Sequence, residues 1–208
     1  MRTGVKVDEV IRIDGHYVVT AGRTRYIARH VVAAASSYQK PKIPDFAASL
    51  DPSIRQLHSV AYKNPEQLKA GSVLLVGASN SGAEIAMDLA RTHQVCLSGR
   101  HPGHIPVAYN GYFAMRLVLP VVLRIVFHRL LTVDTPMGRK AKPEQLSHGL
   151  PLIRVKPQDL DAAGIRRVAR VAGARDGKPL LDDGQILDVS NIVWCTGFRA
   201  GLDWIKLP

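Results

Sequence analysis

The stretch Ser72-Val73-Leu74-Leu75-Val76-Gly77-Ala78-Ser79-Asn80-Ser81-Gly82-Ala83-Glu84 constrains this chain more than any other. Val73 to Val76 are apolar without alternation, the pattern of a strand covered on both faces, and Gly77 ends the run with a residue that can turn sharply. Ala83, Ile85, Ala86, Leu89 and Ala90 then share one helical face, so a helix is expected over about 81–92, capped by Ser81 or Asn80. Strand, glycine turn and helix in direct succession make a βα unit of an α/β protein.

A strand that runs straight into a helix aims the helix N-terminus, with its unpaired N–H groups and partial positive charge, at whatever lies above the sheet. A pyrophosphate suits that place. Gly77 permits the turn and Gly82 close packing of helix on strand, but the middle position of the dinucleotide fingerprint, ordinarily glycine, is Ser79. Its side chain narrows the space, and its hydroxyl can donate to a phosphate. On the turn alone, a βα connection that binds nothing is the simpler alternative. The next apolar run, Gln94 to Ser98, ends in Ser98-Gly99-Arg100-His101, roughly 20 residues on, where an NAD-binding unit carries an acidic residue for the ribose hydroxyls. A guanidinium at Arg100 can pair with a 2′-phosphate, which a carboxylate would repel. NADPH is therefore favoured over NADH, the alternative being a solvated surface arginine.

The turn from Gly77 to Glu84, with Arg100 after the next strand, resembles the NADPH site of flavin-containing monooxygenases and related bacterial flavoprotein oxidoreductases. His58-Ser59-Val60-Ala61-Tyr62 resembles the His-x-x-x-Tyr end of that family's signature, with Phe46 farther upstream than in the compact form. Ile192-Val193-Trp194-Cys195-Thr196-Gly197-Phe198 resembles the segment, an apolar strand followed by Thr-Gly-aromatic, that links the family's two nucleotide domains.

The resemblance runs from about Val5 to Pro208 and implies an α/β fold: a Rossmann-like NADPH-binding domain with a partial FAD-domain β-meander, a truncated form of the two-dinucleotide-binding-domain flavoprotein architecture. On this reading residues 1–45 are the meander and a linker, 46–190 the NADPH-binding domain with a helical insertion at about 111–131, and 191–208 the return strand. The implied cofactor contacts are Gly77, Ser79, Asn80, Ser81 and Gly82 at the pyrophosphate, Arg100 helped by Ser98 at the 2′-phosphate, and Thr196 and Gly197 near the domain junction.

The implied function is that of an oxidoreductase in which NADPH reduces FAD for oxygenation of a small organic substrate. No acid, base or nucleophile constellation stands out. The FAD site is expected to be incomplete, because Ala34-Ala35-Ser36-Ser37 stands where the family carries Ala-Thr-Gly and no second Gly-x-Gly-x-x-Gly occurs. The alternative is a catalytically silent NADPH-binding module or a fragment. A homodimer, or a separate chain supplying the flavin half, are the partner expectations beside the small-molecule substrate.

Elsewhere, Asp14-Gly15 between Val5–Ile13 and Tyr17–Val19 predicts a hairpin, with a third strand over Tyr26–Ala35 that includes a buried Val31-Val32-Ala33-Ala34. Tyr38 to Asp45, with Pro41 and Pro44, reads as an extended linker. Near its boundary His58 either faces the active-site cleft or serves as a structural hydrogen-bonder.

The Leu117–Leu123 run is broken by Pro120 and flanked by Arg116, Arg124 and His128, so no integral membrane segment is expected there. An amphipathic helix covering a core or cleft is expected instead, with interfacial membrane association or a partner helix as alternatives. Gly138 to Lys156 has no regular pattern, and 165–172, 179–181 and 186–189 read as short strands.

The net charge of +11 is spread from Arg2 to Lys206, with small clusters at Arg139-Lys140-Lys142 and Arg166-Arg167-Arg170 and no interleaved aromatics, which argues against nucleic-acid binding. Cys96 and Cys195 fall in predicted strands and read as packing residues, not as metal ligands or a disulfide. Met1 to Asp14 alternates charged and aliphatic residues, unlike a signal peptide, so a cytoplasmic location is expected.

Overall fold

The computed structural model describes residues 2–36, 38–100, 103, 112, 116–117, 119–140 and 151–207. The described strands, in chain order, are β1 (Glu9–Ile13), β2 (His16–Ala21), β3 (Thr24–Ala28), β4 (Lys40–Pro41), β5 (Arg55–His58), β6 (Ser72–Val76), β7 (Gln94–Ser98), β8 (Arg166–Val168), β9 (Val171–Arg175), β10 (Lys178–Leu181), β11 (Asn191–Trp194), β12 (Phe198–Arg199) and β13 (Ile205–Lys206). Two compact units result: Ile43–Thr196, and Met1–Lys42 with Gly197–Pro208.

The larger unit is built on a parallel sheet in the order β5-β11-β6-β7-β8. Its central strand is the run Val73–Val76, in which Val73, Leu74 and Leu75 are wholly excluded from solvent. The alternation of side chains across the sheet sends Val73 and Leu75, with Val95, Leu97 and Val193, to one face, where Ala83, Ala86, Leu89, Leu152 and Leu160 cover them. Leu74 and Val76, with Cys96, Ile192 and Trp194, face the other way onto Leu50, Ile54, Val171, Leu181 and Leu187. Because both faces are covered the run has no polar alternation, and each buried leucine contributes roughly 1.5–3 kcal/mol relative to exposure.

The helix α1 (Asn80–Leu89) follows β6, and its N-cap is Ser79, not Asn80 or Ser81 as the sequence led us to expect. The Ser79 carbonyl accepts the Ala83 N–H at 2.9 Å. Asn80 is drawn elsewhere: its Nδ2 donates to the Pro151 carbonyl at 3.0 Å and its Oδ1 accepts the Ile153 N–H at 2.8 Å. The helix ends at Leu89, short of Thr92, because the Thr92 and His93 N–H groups both turn back to the Leu89 carbonyl and send the chain into β7. At the opposite end of the sheet, fully buried Asn191 exchanges hydrogen bonds with the Lys69 backbone, both at 2.8 Å. Of the short strands expected between 165 and 189, β8 joins the parallel sheet; β9 and β10 form a separate hairpin, and Ile186 makes an isolated bridge to Leu180.

In the smaller unit β1 and β2 pair across Asp14-Gly15, both at positive φ (47° and 78°), as a two-residue hairpin turn requires. β3 pairs with β2, β13 runs parallel to β1, and β4 pairs with β12. The third strand stops at Ala28, and the expected buried strand over 31–34 does not form: Val32 is 88% exposed. An apolar run is buried only where a covering layer exists, and no strand described in this unit pairs with it.

The helical insertion is described from 116 onward apart from residue 118. Leu119–Val121 continues as a π-type helix over Val122–Leu130, closed by the Leu131 N–H on the Val126 carbonyl at 2.8 Å. Among its described residues Leu117, Val121, Leu123, Ile125 and Leu130 are exposed and belong to neither core cluster. The earlier part of the insertion, most of 111–118, and residues 141–150 of the connection lie outside the described residues. Among the described residues no helix is long and apolar enough to cross a membrane.

Candidate dinucleotide-binding site

The registers of the parallel sheet align the last residues of neighbouring strands: His58 with Trp194, Trp194 with Val76, Val76 with Ser98, and Ser98 with Val168. The chain therefore leaves every strand along one edge. In open α/β sheets ligands bind outside this carboxyl edge, where the strand order reverses. Here that point is β6, flanked by β7 on one side and β11 on the other.

The turn after β6 is held from both neighbours, since the Gly77 N–H donates to the Ser98 carbonyl and the Cys195 N–H to the Val76 carbonyl, each at 2.8 Å. Gly77 has φ +115°, and a Cβ there would lie 2.2 Å from the Cys195 carbonyl oxygen. A Cβ on Gly82 would lie 1.8 Å from the Gly77 oxygen. The two glycines thus let helix, turn and adjacent strand touch through backbone. Ser79, at φ −79° and ψ −171°, sits in ordinary extended backbone, so replacing the customary glycine creates no strain. The Ser79 side chain does not cap the helix, and the N–H groups of Ser81 and Gly82, in the first turn, have no intrahelical acceptor. They are the donors a pyrophosphate would use.

Of the other expected contacts, Arg100 is exposed just past β7, and no ion pair among the described residues involves it. Ser98 is not brought to the site. Its side chain is fully buried, its Oγ donates to the Ala169 carbonyl at 2.8 Å and accepts the Val171 N–H at 3.0 Å, and so it ties β7 to the chain after β8. Asn80 likewise spends its side chain on 151–153. Thr196 lies two residues beyond β11 in the larger unit, whereas Gly197 belongs to the smaller, where its carbonyl accepts the Lys42 N–H at 3.0 Å.

The His58-to-Tyr62 motif has a structural part in the fold. His58 is buried and its Nδ1 accepts the Val60 N–H at 3.2 Å. The Tyr62 hydroxyl donates to Asp88 Oδ2 at 2.7 Å, fastening the segment after β5 to α1, and burial together with that carboxylate pushes the phenol well above its usual range. Phe46 packs edge-on against Trp194, with ring centroids 5.9 Å apart. Cys96 accepts from Arg166 Nη2 at 3.3 Å, and burial pushes the Cys195 thiol up to about 12; both cysteines are free.

Two residues that the sequence did not single out complete the edge. Gly99, at φ +138°, would place a Cβ 3.0 Å from the Ala78 nitrogen, so its backbone packs directly on the turn after β6. Arg167 Nη2 donates to the Gly99 carbonyl at 3.2 Å. The only trace of Arg167 in the sequence is the small cluster Arg166-Arg167-Arg170.

The family model described as pyridine nucleotide-disulphide oxidoreductase matches residues 1–106. The chain belongs to this family. A protein described as an uncharacterized oxidoreductase CzcO-like, from Geobacillus kaustophilus, is 33% identical over 98% of this chain and 55% of its own length. The indole-3-pyruvate monooxygenase YUCCA1 of rice is 35% identical over 94% of this chain and 52% of its own. Among solved structures, the flavin-containing monooxygenase of Stenotrophomonas maltophilia superposes with a TM-score of 0.66 at 21% identity, over 99% of this chain and 53% of that one. The chain spans about half the length of the curated relatives it matches. These matches bear out the resemblance to flavin monooxygenases and the α/β fold of a two-dinucleotide-domain flavoprotein, of which this chain carries a part.

Proposed function

We propose that these residues form the NADPH-binding part of a flavin-dependent monooxygenase acting on a small organic substrate. The observation that carries this reading is the alignment of the β6 and β7 ends, which packs the turn leading into α1 against the Gly99 backbone that precedes exposed Arg100. The N–H groups of Ser81 and Gly82 hold the pyrophosphate, with Ser79 beside them, and Arg100 holds the 2′-phosphate. Gly77 and Gly99 keep the two loops close enough to serve one ligand, while Asn80 fastens 151–153 over the helix start. Thr196 and Gly197 connect this domain to the flavin side. Residues 43–196, with β11 inside the sheet, are then the NADPH-binding domain, and 1–42 with 197–208 are the meander, linker and return segment.

Bound NADPH supplies a hydride, and FAD the oxygen chemistry. The residues present do not by themselves fit FAD: the sequence has no second strand–glycine turn–helix, and the Val31–Ala34 segment is exposed. We therefore assign no step to a flavin held by these residues alone, and a nucleotide module without its own flavin is the second reading. NADPH use and free thiols are both in keeping with the cytoplasm.

Titration of the chain and of Arg100→Ala with NADPH and NADH, followed by nicotinamide fluorescence, tests the reading. Loss of a charged hydrogen bond should weaken NADPH by about 1.5–3 kcal/mol, roughly 10- to 150-fold, and leave NADH within twofold. Equal losses for both nucleotides, or no NADPH preference in the unaltered chain, would refute it.

A further inference from the structure

We propose that Arg167 is the positioning residue of the 2′-phosphate subsite: it fixes the Gly99 carbonyl and thereby the direction in which the chain presents Arg100. This rests on the NADPH reading above. Arg167 lies on β8 opposite Leu97 of β7, and its guanidinium reaches past the end of β7 to donate from Nη2 to the Gly99 oxygen at 3.2 Å. From the other side Gly99 is wedged against Ala78, where an added Cβ would be 3.0 Å from the nitrogen and 3.3 Å from the Ala78 Cβ.

The Gly99 carbonyl and the Arg100 N–H belong to one planar peptide group, so holding the oxygen also holds the N–H and the Cα of Arg100. Arg100 itself is exposed, and no described carboxylate pairs with it. Without a strap on the preceding peptide, its long side chain would leave from a backbone free to turn, and binding a phosphate would cost that freedom each time. Arg167 removes part of the cost before the ligand arrives. An NADH molecule, which has no 2′-phosphate for Arg100 to hold, does not draw on it.

The test uses the full chain with Arg167→Ala, Arg167→Lys and the double variant Arg167→Ala/Arg100→Ala, read by NADPH and NADH dissociation constants and by thermal unfolding. Arg167→Ala should weaken NADPH roughly 5- to 30-fold with NADH within twofold, and Arg167→Lys should recover part of the loss, since an ammonium can still donate to a carbonyl. Because Arg167 acts through Arg100, the double variant should bind NADPH about as weakly as Arg100→Ala alone, and not by the product of the two losses. A general weakening of the sheet edge would lower both nucleotides equally, and independent contacts would multiply. Either result overturns the assignment, as does an unchanged NADPH preference. Should Arg167→Ala fail to fold, Arg167→Lys carries the same test: a preference equal to that of the unaltered chain, or an equal loss for both nucleotides, overturns the assignment. If Arg100→Ala lowers NADPH affinity and Arg167→Ala does not, the Arg167 role fails while the NADPH reading stands. No NADPH preference in the unaltered chain overturns both.

Discussion

Replacing Ser98 separates two roles that its position at the end of β7 could serve. The residue is fully buried, and its hydroxyl makes two hydrogen bonds, to the Ala169 carbonyl at 2.8 Å and from the Val171 N–H at 3.0 Å. Alanine fills nearly the same space but leaves a carbonyl and an amide without partners inside the unit. Losing two neutral hydrogen bonds and stranding the groups that made them should cost about 2–4 kcal/mol. For a unit of this size each kcal/mol lowers Tm by about 2–4 °C, so Ser98→Ala should unfold about 4–16 °C earlier. Thermal unfolding by far-ultraviolet circular dichroism reads the shift. Nucleotide titration well below the transition should give the same NADPH to NADH ratio as the unaltered chain. A Tm within about 1 °C of the original, combined with a selective loss of NADPH, would mean that the hydroxyl serves the phosphate and that the buried bonding described above is wrong.

Two further outcomes follow from the same geometry. Gly82→Ala gains about 1 kcal/mol in helix propensity but drives a Cβ to 1.8 Å from the Gly77 oxygen, and we expect a net loss of about 1–3 kcal/mol in chemical denaturation together with weaker binding of both nucleotides; a more stable variant would refute the close packing of helix on turn. Tyr62→Phe removes the hydrogen bond to Asp88 and should cost about 1 kcal/mol near neutrality. Because folding raises the Tyr62 phenol above its ordinary value of 10.0, the contribution of its protonated form is fully present below about pH 10 and is lost as the pH rises further, so the gap between the two proteins should narrow there; urea midpoints at about pH 8 and pH 11 that diverge would contradict the assignment.

Much of the central unit is written in local pattern. The unbroken run Val73–Val76, closed by Gly77, reads as a strand with both faces covered, and the spacing of Ala83, Ala86 and Leu89 puts their helix on one of those faces. Asp14-Gly15 specifies a two-residue hairpin because both positions need positive φ. Such features depend on the period and conformational range of neighbouring residues, and a sequence displays them directly. The apolar run at 31–34 shows where this stops, since its burial depends on a layer that local pattern cannot supply.

The site divides along the same line. Gly77, Gly82 and Arg100 were legible because their positions follow from the strand–turn–helix spacing, and the tertiary structure keeps them at the carboxyl edge. Ser98 and Asn80 carried the same signal, yet each is engaged by backbone 71 residues farther on. The roles of Gly99 and Arg167 arise only when β7 and β8 lie side by side with their ends in register. In the central unit the sequence by itself determines that Val73–Val76 is strand and Ala83–Leu89 helix and which of their faces are covered, because those depend on period and polarity. Which polar atom is left for a ligand depends on which distant carbonyl or amide has already claimed it, and only the packed sheet decides that.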